Sequence, residues 1–281
     1  MEGENQQNNF QPIDIRNIIS GKNQKLARKI PGFVYRWLSK ILHLKELNEI
    51  MKNYGQLKGI EFVDETLNYL NLHHELFGIE NVPKDQKFIF VGNHPLGGAD
   101  GGIILKILNE NFGDTRCLTN DFLLGMVPPL KDWFVPINKV GTQSRDSLIL
   151  VEQLYKSNDQ ILIFPAGLCS RKIKGKIVDL QWQKHFIQKA VEYKKDIIPI
   201  FFEGRNSNFF YNLSKIRKFF RIKLNIEMLY LVDELFKHQN KTFKIYIGKP
   251  ISYRTFDHTK KPLEWASEIK KITYQLPQQA K

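Results

Sequence analysis

Residues 87–110 read KFIFVGNHPLGGADGGIILKILNE. An apolar run of strand length leads into a turn built from Asn93, His94, Pro95 and the glycines at 97, 98, 101 and 102, and then into an apolar run of helical length. Strand, glycine turn and helix in that order form the repeating unit of an α/β sheet. The same kind of strand recurs as WFVPIN (133–138), QILIFP (160–165), DIIPIFF (196–202) and FKIYIGK (243–249), with helical patterns at 102–112, 144–157, 182–194, 226–237 and 262–276. The alternation predicts an α/β fold with a mostly parallel central sheet flanked by helices on both faces. The near-continuous apolar strands IFVG and ILIF belong in its middle.

His94 stands just past the carboxyl end of a central strand, where open α/β sheets place their sites. Asp100, at the start of the next helix, has two readings. It caps the helix, or it faces back to His94, fixes the imidazole tautomer and stabilises the imidazolium. A second segment favours the latter. After the strand ILIF comes PAGLCSRK (165–172), a glycine turn followed by cations. Both strand ends would open on one edge of the sheet, putting a base beside an anion-binding cluster. That is equipment for acting on a hydroxyl near a phosphate or carboxylate.

Other chemistry is excluded by pattern. The sequence has no G-x-S-x-G elbow, no phosphate-binding G-x-x-x-x-G-K-[ST] loop, no G-x-G-x-x-G and no zinc-spaced Cys or His set. His73-His74-Glu75 lacks a third ligand at helical spacing and reads as a solvated helix end. Two cysteines, Cys117 and Cys169, cannot form a disulfide framework and point to a reducing compartment. Apolar runs are far shorter than the ~20 residues of a membrane span, and no signal-peptide core follows the polar beginning of the chain.

Charge is unevenly spread over the 281 residues, whose formal net charge is +13. Eight Lys/Arg and no acid lie from Arg16 to Lys45; six cations and no acid lie between Glu203 and Glu227; four more fall in Arg171–Lys176. These stretches hold 18 of the 42 cations, which leaves 24 against 29 acids elsewhere. Such concentration argues for an anionic surface or substrate. Residues 1–15 read as a flexible polar tail and 16–75 as an amphipathic helical, membrane-associating segment, with 76–281 as the catalytic domain. Within the helical segment Leu26, Ile30, Phe33, Val34, Trp37, Leu38, Ile41 and Leu42 share a face, and Pro31 kinks or restarts the helix. With Trp37 and Tyr35 beside cations, this is either an interfacial membrane helix or a core-docking helix with a solvated basic side.

Taken together, NHPLGGADG after one strand, FPAGLCSRK after another, IIPIFF and the late IYIGKPI resemble the glycerolipid acyltransferase superfamily, best known for lysophosphatidic acid acyltransferases. The likeness covers roughly residues 75–255. It implies that His94 is the general base, that Asp100 is its orienting partner and that Gly167 and Arg171 lie in the acceptor site. Asn93, Gly97, Gly98, Ser170 and Lys172 complete the candidate substrate-binding set, with Lys139 and Arg145 as basic residues after WFVPIN. Five residues rather than the family's four separate His94 from Asp100, so one glycine must bulge for the carboxylate to reach. Ala166 replaces the usual Glu of the second block, and Leu168 and Cys169 its Thr and Arg. These variants look like the bacterial branch that acylates lyso-aminolipids such as ornithine or glycine lipids.

The reaction implied is acyl transfer from a thioester to a lyso-lipid hydroxyl, lysophosphatidic acid or a lyso-aminolipid, with backbone N–H groups of the glycine turn holding the oxyanion. No metal or organic cofactor is implied; acyl-carrier protein or coenzyme A brings the acyl group, and membrane lipid is the partner. The expected location is the cytoplasmic face of a membrane, peripheral and without a span. Rival readings are an N-acyltransferase making an amino-acid lipid, and a non-enzymatic membrane- or nucleic-acid-binding protein using RKFFRIK (217–223). Nucleic acid is not expected as a partner, because nothing in that stretch accounts for the His94 turn.

Overall fold

The structure, a computed structural model, describes residues 12–22, 24–119, 127–137, 145–222 and 225–279. Lys139 and residues 1–11 of the expected tail lie outside them.

Five helices come first: α1 (Ile15–Lys22), α2 (Gln24–Lys29), α3 (Gly32–Ile41), α4 (Leu44–Tyr54) and α5 (Gly59–Tyr69). The remainder alternates as β1 (His73–Phe77), β2 (Ile89–Gly92), α6 (Ala99–Phe112), β3 (Thr115–Thr119), β4 (Phe134–Pro136), α7 (Arg145–Lys156), β5 (Gln160–Ile163), β6 (Arg171–Ile173), β7 (Lys176–Val178), α8 (His185–Tyr193), β8 (Ile197–Glu203), α9 (Asn208–Phe219), α10 (Leu231–Phe236), β9 (Thr242–Ile247) and α11 (Pro262–Gln279).

Seven strands form one sheet in the order β1-β9-β8-β2-β5-β3-β4, parallel at every pairing except β8 with β9. β6 and β7 form a separate antiparallel hairpin. The apolar strand β2 is buried along its whole length and sits between β5 and β8. Its side chains alternate between two cores. Phe90, with Phe88 just before the strand, faces the layer of α4, α5 and α6, and Ile89 and Val91 face α7, α8 and α11. Helix α6 is apolar nearly all round and correspondingly buried. Its one cation there, Lys106, is ion-paired with Asp64 and Glu110.

After β2 the chain crosses to β3 on one side; after β5 it crosses to β8 on the other. The crevice between β2 and β5 is therefore the topological switch point, where ligands enter doubly wound sheets.

Three local readings change. His73-His74-Glu75 is not a helix end but part of the sheet-edge strand β1, paired with β9. The helical segment expected over 16–75 runs to Tyr69, but Ile50, Phe62 and Val63 of α4 and α5 belong to the main core. α1, α3 and the start of α4 build a separate cluster, in which Tyr35, Leu38, Ile41, Leu42 and Leu44 pack with Ile15 and against Leu229, Tyr230 and Val232. Pro31 restarts the helix at the N-cap of α3. Phe33 and Trp37 stay exposed, whereas Ile41 is buried, so the single apolar face splits into a docked side and an outward one.

Candidate active site

The expected bulge between His94 and Asp100 is at Gly97, which takes φ +82°, a left-handed conformation that glycine adopts freely. The folded-back turn brings His94 Nδ1 to 3.1 Å from Asp100 Oδ2. Asp100 has no solvent exposure, and its oxygens accept the backbone N–H groups of Leu96 (3.0 Å), Gly97 (3.4 Å), Gly98 (3.1 Å) and Gly101 (2.9 Å). Burial pushes this carboxyl toward its neutral form. The charge and hydrogen bond of His94 and the N–H groups of Leu96 and Gly101 outweigh burial and hold it below its ordinary value. Ionised Asp100 thus fixes Nδ1 and leaves Nε2 on the far edge of the ring. Phe164, the residue after β5, stacks on the imidazole at 4.1 Å between centroids and limits its rotation.

The same geometry corrects one expectation. The N–H groups of Leu96, Gly97, Gly98 and Gly101 point at Asp100, so they orient the carboxylate and are not the oxyanion donors.

The second turn is joined directly to the first. Ser170 N–H donates to the His94 carbonyl at 2.7 Å. Beneath both lies Asp179, a residue the sequence reading did not single out. One of its oxygens accepts the His94 N–H (3.2 Å) and the Ser170 hydroxyl (2.5 Å), and the other accepts Trp182 Nε1 (2.9 Å). Its own N–H donates to the Tyr274 hydroxyl of α11 (2.8 Å), and Lys270 donates to its carbonyl (2.7 Å). Burial raises the Asp179 carboxyl above its ordinary value.

Arg171 does not reach an open acceptor site. It is 4% exposed, donates to the Cys169 and Ser170 carbonyls and pairs with Glu227 at 3.1 Å. Glu227, fully buried, also pairs with Arg217 at 2.8 Å. A carboxylate arriving from a distant segment has drawn Arg171 inside, so it braces the turn. Ser170 is likewise buried against Asp179. Asn93 uses both ends of its amide on the Phe202 backbone and ties β2 to β8. Gly167 makes the tight turn after β5 with φ +69°. Gly98 faces open space, Lys172 is half-buried on β6, and Arg145 lines a cleft of about 800 Å³ between α7 and α8 whose walls do not include His94. Burial pushes the Cys169 thiol up to about 11, which leaves it unsuited to nucleophilic attack.

An exposed cation flanks the His94 turn. Gly204, Arg205 and Asn206 follow β8. Gly204 abuts Leu96, and Asn206 Nδ2 lies 3.5 Å from the Leu96 carbonyl. Arg205 between them is exposed, its guanidinium steadied by Asn208 at 2.7 Å. Among the described residues no cluster of His, Cys, Asp or Glu could hold a metal ion. The arrangement can take a proton at Nε2 of an imidazole oriented by Asp100 and Phe164, at the carboxyl end of the sheet strands.

The profile of a family described as acyltransferase matches residues 17–280. A lyso-glycine lipid O-acyltransferase of Phocaeicola vulgatus is 45% identical over 267 residues, covering 94% of this chain and 95% of that protein. The protein of the same name from Bacteroides thetaiotaomicron is 44% identical over 267 residues, covering 94% and 97%. The crystal structure of the 1-acyl-sn-glycerophosphate acyltransferase PlsC from Thermotoga maritima superposes with a TM-score of 0.48 at 18% identity, covering 94% of this chain and 86% of that one.

Proposed function

The chain belongs to the acyltransferase family, and from that premise we propose that it moves a fatty acyl group from a thioester to the hydroxyl of a lyso-glycine lipid. The observation that carries this reading is the His94–Asp100 pair at the switch point, with Nδ1 held by the carboxylate and Nε2 turned away from it. The acceptor comes from the relatives' activity, since they match nearly the full length of the chain.

In the proposed reaction, the acceptor hydroxyl approaches His94 Nε2 and attacks the thioester carbonyl as its proton passes to the ring. Asp100 stabilises the imidazolium. The tetrahedral intermediate then collapses, the C–S bond breaks, and the leaving thiolate takes the proton back from Nε2. The ester and a free thiol are the products, and His94 returns to its starting state. A positioned histidine of this kind contributes ~10²–10⁴ in rate. Arg205 is the cation we assign to the acceptor's carboxylate, in place of the buried Arg171. No organic cofactor enters these steps. The thiol carrier, acyl-carrier protein or coenzyme A, is a co-substrate.

The lipid acceptor calls for a protein working at a bilayer. No described helix is long and apolar enough to cross a membrane, so attachment would be peripheral. The direct test offers lyso-glycine lipid, lyso-ornithine lipid and lysophosphatidic acid in parallel, each with labelled acyl-carrier protein and coenzyme A thioesters, and identifies products by mass. O-acylated glycine lipid is the expected major product. Equal use of all acceptors, or acylation at nitrogen, would overturn the assignment.

A further inference from the structure

Helix α9 has two faces with opposite fates. Phe210, Tyr211 and Ser214 are buried, while Phe209, Ile216 and Phe220 stand exposed at helical spacing with Phe219 beside them. Phe219 is 82% exposed and Phe220 67%. Large apolar side chains clustered this openly mark an interaction surface. The patch continues beyond the helix. Phe209 meets Tyr230 edge-on at 5.0 Å, and Tyr230 meets Trp37 of α3 edge-on at 6.1 Å. Phe33, one turn before Trp37, is exposed on the same helix.

Cations frame this surface. Lys215, Lys218 and Arg221 are exposed along α9 and its end, as are Arg36 and Lys40 on α3. No acid occurs from Gly204 to Ile226 or from Arg16 to Lys45, and Glu227 is buried between Arg171 and Arg217. The position matters as well. Phe210 and Tyr211 pack with Cys169 of the second turn, and Leu231, just beyond Tyr230, touches Gly97 of the first.

We propose that the outer stripe of α9, together with Phe33 and Trp37 of α3, is the surface on which the protein lies on an anionic lipid bilayer. Phe219 and Phe220 enter the acyl-chain boundary, and the surrounding lysines and arginines sit at the phosphates. The active-site turn then faces the membrane's edge, which under the proposed function is where a lyso-lipid acceptor would be handed over. The rings of Phe219 and Phe220 are nearly perpendicular, 87° at 5.2 Å, and offer no flat platform for successive bases. An apolar surface running on through Ile216 and Phe209 to Trp37 suits hydrocarbon rather than an oligonucleotide.

The test uses the full chain and needs no turnover, so it can fail while the acyl-transfer reading stands, and the reverse. Sedimentation is measured with vesicles of phosphatidylglycerol and phosphatidylethanolamine, and with phosphatidylcholine vesicles as the neutral comparison. Wild type should sediment with the anionic vesicles, less so at high salt, and weakly with the neutral ones. The double variant Phe219→Ser/Phe220→Ser should lose at least ~10-fold in partitioning, given the apolar area removed from water by two phenylalanines. The triple variant Lys215→Gln/Lys218→Gln/Arg221→Gln should lose the salt dependence. Thermal unfolding should match wild type, because these side chains lie outside the core; if the double variant melts early, Phe219→Ser alone serves. Unchanged sedimentation of the variants would overturn the proposal. So would a wild type that shifts single-stranded DNA and ignores vesicles.

Discussion

The carbonyl of His94 accepts the Ser170 N–H at 2.7 Å, and the N–H of His94 and the hydroxyl of Ser170 converge on the same oxygen of Asp179. The turn after β2 and the turn after β5 are therefore one hydrogen-bonded body. His94 keeps its place because its main chain is held from below while Phe164 and Asp100 hold its ring.

His94→Ala should lower turnover by ~10²–10⁴ while the protein still unfolds cooperatively. Asp100→Asn should cost both rate and stability. An amide NH₂ cannot accept from the N–H groups that now converge on the carboxylate, and each donor left unsatisfied costs about 1–3 kcal/mol. Steady-state rates and thermal melts of the two variants check this. More than a tenth of wild-type turnover in His94→Ala would end the general-base account.

The two buried carboxyls should bend the pH–stability curve in opposite directions. Asp100 sits below its ordinary value, so the unfolded chain binds that proton first. Its stabilisation is complete above ~4 and is lost as pH falls through the lower folded value. Asp179 sits above its ordinary value, so the native state binds that proton more tightly. Stability tied to it is greatest below ~4 and declines as pH rises through the raised folded value. Melting temperatures across pH should lose the first slope in Asp100→Asn and the second in Asp179→Asn.

Arg171→Ala should destabilise by about 3–5 kcal/mol, as breaking a buried ion pair does, with loss of activity that follows loss of fold. Arg205→Ala should leave the melting temperature unchanged and raise the acceptor KM at least ~10-fold, with the donor KM unmoved. Kinetics against each substrate separate the two. Equal effects of Arg205→Ala on donor and acceptor would remove its assignment to the carboxylate.

Gly97→Ala should be damaging and Gly98→Ala mild. A Cβ on Gly97 would lie 2.9 Å from Leu231 and 3.1 Å from Cys169 at φ +82°, whereas one on Gly98 meets nothing within 4 Å. Losses of about 1–3 kcal/mol are expected for the first and under ~0.5 kcal/mol for the second, read by chemical denaturation.

The alternation of apolar strands and helices made the sheet legible, and the His94–Asp100 pair was legible because strand, His94, glycines and Asp100 follow one another along the chain. β1 and β3 were not. HHELF and TRCLT mix polar and apolar residues and lack the apolar runs that mark β2 and β5. Asp179 stayed hidden because its partners, His94, Ser170 and Tyr274, come from separate segments, and KIVDLQW carries no turn signal. Arg171 misled for a related reason. A cation after a glycine turn is ordinarily solvated, and the Glu227 that buries it lies 56 residues further on. Helix α3 showed its apolar residues but not which of them would be covered, since Leu229, Tyr230 and Val232 decide that.

The sheet-edge pairing of His73–Phe77 with Thr242–Tyr246 has a consequence for biosynthesis. β1 leaves the ribosome long before its partner, and at ~5–20 residues per second the wait is on the order of ten seconds or more. Throughout it, Leu76 and Phe77 have no strand beside them, while Phe33, Trp37 and the surrounding cations have already emerged. A nascent chain in that condition is exposed to aggregation, and a contact-rich sheet assembled from such distant segments closes slowly. Early capture of the basic aromatic helix by a lipid surface would keep the waiting strand away from other nascent chains.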